Sequence, residues 1–352
     1  MNILLLVPTY HNLYKPIESA LIDKGHNVIT VFDEILPNDP YLTTSKLRHI
    51  YNNIIYKIYN VHESYWKKYI KVHKELRGIK FDMLFCINGY SLSPFLIDYL
   101  KQNNNQLKTV LYLWDSNKYY YFERHLPYFN LVYSFDLDDS LNINKVKFLP
   151  FYWIPFNAQK TIYNKNKYKI SIIGTNHDGR FYIVDKIANI LDLYGFIYYF
   201  KIIKRSINYS LKDIIKLSYY ELIGDNKKSF DLKLQYGKIR SKLFAEGHIP
   251  QEEVLQIMYE SEYILDTDRE SQTGTTPRLI WALSLNKKII TTNKNIKRFP
   301  FYNEKQIFVI DRDNPNIDFI LNENTNTTIE NVFNNNVENL RIDLWIENFL
   351  KN

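Results

Sequence analysis

A single cysteine among 352 residues, Cys86, is the first limit the sequence sets, because no disulfide can then close within the chain. It sits in the apolar run Met83–Ile87 and reads as core. No zinc-finger spacing, no RNP-type aromatic motif and no homeodomain-like helix is present, which argues against a nucleic-acid partner. No window supplies the roughly 18 unbroken apolar residues of a membrane span. The first apolar run, Ile3–Val7, is too short for a signal peptide, has no basic leader and is followed at once by Pro8. The expectation is a cytoplasmic protein.

What is present is a chain that is 45% hydrophobic and long enough for two domains. Its net charge of +7 is compatible with nucleic acid, anionic membrane or anionic small molecules. The basic residues read as spread among Tyr, Asn and Ile rather than gathered on one helix. Peripheral contact with an anionic membrane face therefore ranks above a nucleic-acid site, since scattered Lys and Arg are enough to be drawn to acidic headgroups.

The first half repeats a βα rhythm. Strand Ile3–Val7, a helix over about Lys15–Lys24 and strand Val28–Phe32 open it, and a helical stretch over about Thr44–Arg77 follows. Then come strand Met83–Ile87, helix Pro94–Lys101, strand Thr109–Trp114, a short helix near Tyr120–His125, and strands Leu131–Phe135 and Val146–Leu149. Strand ends in Gly, Asn, Asp or Ser place polar residues along the sheet edge where open α/β folds bind ligands. The expected domains are residues 1–152, a Pro- and Asn-rich linker over 153–168, a second α/β domain over 169–335 and a C-terminal helix over 336–352. A tyrosine-rich basic insert, about Ser210–Lys238, reads as a solvated helix with an apolar stripe, or alternatively as an interfacial surface.

Two loops of the second domain join a strand to a helix in the way that binds anions. Gln272–Arg278 follows strand Tyr263–Leu265, and Pro277 suits the first turn of the next helix. Unpaired backbone N–H groups at such a helix start carry partial positive charge, and Thr275, Thr276 and Arg278 add donors. Gly174–Arg180 matches it: Gly174 admits close backbone approach, Thr175 and Asn176 offer donors, and Arg180 opens the next helix. The plainer reading of each loop is a helix cap with a turn glycine.

Two Rossmann-like halves of this kind describe the GT-B architecture. Ser171–Arg180, Trp114-Asp115-Ser116, Val132–Asp139 and Leu265–Asn293, in that combination, resemble bacterial polysaccharide glycosyltransferases related to the spore-maturation CgeB type. The resemblance runs from the first strand to about Arg312. It implies an α/β GT-B fold with two domains facing a cleft and the C-terminal helix returning to the N-terminal domain. It also implies transfer from a nucleotide-sugar donor to a glycan or lipid-linked acceptor in capsule or lipopolysaccharide assembly, with no cofactor and no metal.

On this view Gly174, Thr175, Arg180, Gly274, Thr275, Thr276 and Arg278 hold the donor diphosphate. Asp115 takes the acceptor proton, its alternative being a helix N-cap. His11 occupies the position at which several plant and antibiotic GT-B enzymes carry their base. Asp266, Asp268, Glu270 and Gln272 are the candidates for ribose or sugar contacts. The triplets Asp136-Leu-Asp138 and Asp266-Thr-Asp268 invite a metal reading, but Asp138, Asp139 and Ser140 look like helix-starting residues. One position departs from the resembled pattern: Trp281 stands where a glutamate usually holds the ribose. A nucleotide-sugar 2-epimerase and a non-catalytic GT-B binding subunit are the rivals.

Overall fold

The computed structural model describes residues 1–9, 12–33, 61–73, 76–156, 166–203, 211–235, 241–245, 247, 249–321 and 335–351. The chain divides into two compact units: Met1–Ile154 with Ser271–Thr275 and Glu338–Asn352, and Pro155–Glu270 with Thr276–Val337.

The first unit is built on six parallel strands, β1 (Asn2–Val7), β2 (Asn27–Phe32), β3 (Met83–Ile87), β4 (Lys108–Leu113), β5 (Leu131–Ser134) and β6 (Val146–Phe148), in the order β2-β1-β3-β4-β5-β6. The unbroken apolar runs of β1 and β3 follow from this placement, because a central parallel strand is covered on both faces. Ile3–Val7 and Met83–Ile87, Cys86 included, have no solvent exposure. Helices α1 (Lys15–Asp23) and α3 (Pro94–Asn103) each carry proline in the first turn, where no backbone donor is lost. Between them the helical stretch expected over Thr44–Arg77 is a helix α2 at Val61–Val72; residues 44–60 and 74–75 lie outside the described residues.

The expected C-terminal helix belongs to this unit from Glu338 onward and is not one helix. It is broken into Asn335–Glu338, Ile342–Trp345 and Glu347–Leu350, because Leu340 and Arg341 run beside Trp153. The Trp153 N–H donates to Leu340 O at 2.9 Å and the Ile342 N–H to Trp153 O at 2.9 Å, bonds that a continuous helix would not permit. Trp345 then donates its indole N–H to Pro150 O at 2.9 Å, and the Phe349 ring packs 4.6 Å from Phe85.

The second unit has β7 (Tyr168–Thr175), β8 (Tyr198–Ile203), β9 (Phe244–Ala245), β10 (Ser261–Asp266), β11 (Lys288–Thr291) and β12 (Ile307–Val309), in the order β12-β11-β10-β7-β8-β9. This is the doubly wound Rossmann order, and its reversal point falls between β7 and β10. Helix Arg180–Leu193 starts from Gly179, whose φ of 70° is the left-handed conformation that glycine adopts without strain. The tyrosine-rich insert is a pair of helices, Leu211–Leu222 and Asn226–Gln235. Among the described residues no helix is long and apolar enough to cross a membrane.

Candidate functional site

In the second unit the chemistry gathers at the carboxyl ends of β7 and β10, the crevice where an open α/β sheet takes its ligand. Arg180, buried in the first turn of its helix, donates Nε to Thr267 Oγ1 at 2.5 Å, Nη1 to Thr175 O at 2.6 Å and Nη2 to Thr267 O at 2.9 Å. Arg278, in the first turn of helix Pro277–Ser284, donates Nε to Ile173 O at 3.1 Å and Nη1 to Asp266 Oδ1 at 2.9 Å. Both guanidinium groups lie over Gly174. A Cβ built there would meet Arg278 Nη2 at 2.5 Å and Arg180 Nη1 at 2.7 Å, so any side chain would displace the pair.

Asp266 is fully buried and also accepts from the hydroxyls of Thr276, at 2.5 Å, and Thr291, at 3.2 Å. Thr276 caps its helix by accepting from the Leu279 N–H at 3.1 Å. A third guanidinium, Arg312, was not singled out by the sequence pattern. It follows β12 and donates to Asp268 Oδ1 at 2.6 Å, to Asp268 O at 2.7 Å and to Asp178 O at 2.9 Å. Its place after a strand at this same edge is the signal that could have found it. Glu270, facing Arg312 at 3.4 Å, keeps an exposed side chain. Burial, helped by the Arg180 and Arg269 charges, outweighs the hydrogen bond with Asp178 and pushes His177 down to about 4.

The loop Ser271–Thr275, expected as part of the diphosphate grip, packs with the first unit. The backbone N–H groups of Thr273 and Gly274 donate to Asp136 Oδ2 at 2.6 and 3.3 Å, and the Thr273 hydroxyl donates to Asp136 Oδ1 at 2.7 Å. Asp136 is buried and also caps helix α4 (Leu137–Asn142) by accepting from the N–H groups of Asp138 and Asp139. The Asp136-Leu-Asp138 triplet is thus a cap and a loop anchor. Among the described residues no group of three or more His, Cys, Asp and Glu is arranged to hold a metal ion.

Asp115, at the carboxyl end of β4, accepts from Asn88 Nδ2 at 3.1 Å, from Gln272 Nε2 at 3.3 Å and from the Tyr90 hydroxyl. Sequence reasoning missed the residues behind it. Asp33, after β2, is buried and accepts from the Tyr90 N–H at 2.6 Å, the Ser91 N–H at 2.7 Å and the Ser91 hydroxyl at 2.6 Å. Burial outweighs these donors and raises its carboxyl to about 6. His125 is buried against the Tyr120 hydroxyl at 2.9 Å, and burial together with Arg124 holds it well below its ordinary value. The hydroxyls of Ser93, Ser116 and Thr275 and the Trp114 indole N–H are buried with no hydrogen-bond partner among the described residues. His11 lies outside the described residues.

No protein-family model matches the chain, and no curated protein matches it in sequence. Solved structures do match it in fold. A trehalose-6-phosphate synthase superposes with a TM-score of 0.56 at 11% identity, covering 99% of this chain and 98% of that one. A UDP-forming α,α-trehalose-phosphate synthase from Burkholderia xenovorans gives 0.54 at 9% identity, covering 99% and 97%. Its counterpart from Burkholderia vietnamiensis gives 0.55 at 9% identity, covering 99% and 98%. The two parallel six-stranded sheets with flanking helices are those of the GT-B fold.

Proposed function

We propose that this chain is a metal-independent glycosyltransferase that moves a sugar from a nucleotide-sugar donor to a growing surface glycan. The observation that carries the reading is the pair of guanidinium groups, Arg180 and Arg278, set over Gly174 at the reversal point of a Rossmann-ordered sheet. A diphosphate needs charge that is already in place when the glycosidic bond breaks, and fixed guanidinium groups supply it without reorganisation. Similarity in fold to UDP-forming synthases supports a nucleotide sugar as the donor. The resemblance to CgeB-type polysaccharide enzymes supports a capsule, lipopolysaccharide or related acceptor, and a cytoplasmic site of action.

In this mechanism the second unit binds the donor and the first binds the acceptor. The acceptor hydroxyl gives its proton to Asp115, its oxygen bonds to the anomeric carbon, and the electron pair of the breaking C–O bond leaves on the diphosphate. The orphaned polar atoms of Ser93, Trp114, Ser116 and Thr275 support a polar ligand near these strand ends, because buried donors ordinarily find partners. Thr276, Asp266 and Asp268 would line the donor side. Arg278→Ala should abolish transfer while the protein still unfolds cooperatively. Unchanged turnover would remove the donor assignment.

Trp281 favours a second reading. It is buried in the helix opened by Arg278, where an indole cannot accept ribose hydroxyls, and this suits a subunit that binds nucleotide sugar without turning it over. Incubation with donor alone separates the cases. Released nucleotide means transfer or hydrolysis, a changed sugar means a 2-epimerase, and binding without either means the non-catalytic subunit.

A further inference from the structure

The helix Leu211–Leu222 has its apolar side turned to water. Ile215, Tyr219 and Leu222 stand at the spacing that places residues on one helical face, and they are 70%, 56% and 86% exposed. Ile214 and Ile223 flank them at 48% and 52%, whereas Leu217, on the opposite side, is buried at 9%. The neighbouring helix Asn226–Gln235 explains the arrangement. It seats on the unit's core through Leu234 and through Phe230, whose ring lies 4.9 Å from Tyr182 and 5.8 Å from Phe181. The outer helix is tied to it by the Lys233–Glu221 ion pair at 2.7 Å and the Asp225 N–H to Tyr220 O bond at 2.9 Å, and needs little apolar contact of its own. A contiguous exposed face of this kind marks an interaction surface.

Charge identifies the occupant. Residues 204–243, the whole connection between β8 and β9, hold ten Lys and Arg against four Asp and Glu. The chain outside them holds 35 against 34, so nearly all of its net charge of +7 sits in this one connection. The basic residues are dispersed along the chain, but their excess over acidic ones is concentrated here. Lys216 lies exposed on the outer helix, and Lys228 and Lys242, each paired with a carboxylate at 2.8 Å (Asp225 and Asp192), keep side chains 61% and 67% exposed. We propose that this helix docks on a membrane surface rich in anionic lipid, with Ile215, Tyr219 and Leu222 entering the headgroup and acyl boundary and the lysines facing the lipid phosphates. An exposed apolar face carried on a connection with ten Lys and Arg against four Asp and Glu matches such a surface on both counts, whereas a protein partner would need only the first.

The test is co-sedimentation of the full chain with vesicles of phosphatidylcholine alone and of phosphatidylcholine with phosphatidylglycerol at equal weight. Binding should be at least tenfold stronger to the anionic vesicles and should fall as salt rises. The double variant Ile215→Asp with Leu222→Asp should lose at least tenfold, and so should Lys216→Glu. Both should keep the parent's melting temperature, because every altered side chain is exposed. Equal binding to the two vesicles, or full binding by the double variant, would overturn the proposal. So would a wild-type dimer that the double variant turns into a monomer, since a second copy would then cover the face. UDP affinity, measured without vesicles, should be the same in all variants, which keeps this test separate from the donor assignment.

Discussion

Gly174→Ala is the most direct probe of the paired arginines. The added methyl would lie 2.5 Å from Arg278 Nη2 and 2.7 Å from Arg180 Nη1, well inside the about 3.5 Å of comfortable contact. Both guanidinium groups must therefore retreat, Arg278 by about 1 Å and Arg180 by about 0.8 Å. Neither can do so freely. Arg180 would stretch its 2.6 Å bond to Thr175 O, and Arg278 its 3.1 Å bond to Ile173 O or its 2.9 Å pairing with Asp266. Losing one hydrogen bond from a charged donor costs about 1.5–3 kcal/mol. For a unit of this size that lowers Tm by roughly 4–10 °C in a thermal melt. If the displaced guanidinium is one that meets the diphosphate, titration calorimetry with UDP should show affinity reduced about 10- to 150-fold. In the Arg278→Ala background the same substitution should cost less, because only Arg180, at 2.7 Å, is then left to be displaced. Unchanged stability together with UDP affinity within a factor of two of the parent would refute the placement of both arginines over Gly174.

Two further predictions concern the first unit. Asp136→Ala removes a helix cap and leaves the donors of Thr273 and Gly274 without their acceptor; urea unfolding should show a loss of about 3–5 kcal/mol, and a loss below 1 kcal/mol would mean that the loop is held by something else. Asp33 should make stability depend on pH in the direction opposite to that of an ion-paired carboxylate. Its folded value of about 6 lies above the unfolded 3.8, so the native state holds the extra proton between those values and stability falls as pH rises through them, by about 3 kcal/mol in all. The stability difference between the parent and Asp33→Asn should shrink by that amount between pH 4 and pH 7, and a flat difference would contradict the burial argument.

Much of the sheet architecture was legible because central parallel strands are covered on both faces and must be apolar throughout, as in Ile3–Val7 and Met83–Ile87. Gly174 reads as a loop glycine in the sequence but lies in β7, paired with Ile202, and the reason for it was not legible, since two arginines from different helices converge on it only in three dimensions. The Asp33 network left no trace in the sequence for the same reason: its donors come from Tyr90 and Ser91, 57 and 58 residues away. The short helix expected at Tyr120–His125 lies at Glu123–Tyr128, because Tyr120 is turned inward to donate to Gly89 O at 2.8 Å. The break in the C-terminal helix was hidden by the regular spacing of Leu340, Leu344 and Trp345, a pattern interrupted at Arg341 only because Trp153 bonds the backbone of Leu340 and Ile342 on either side of it.

The bond from the Trp345 indole to Pro150 spans 195 residues of chain. As the ribosome extends the polypeptide, the aromatic cluster of Phe85, Tyr112 and Tyr133 is made early but waits for Trp345 and Phe349 to cover it. Closing so long a loop is slow, and until it closes the nascent first unit shows an unsealed aromatic face to solvent and to any chaperone that binds one. The order of synthesis and the order of assembly therefore run against each other. A chain arrested before Trp345 is added should be captured as a partly folded, aggregation-prone species even though all six strands of its first sheet have already emerged.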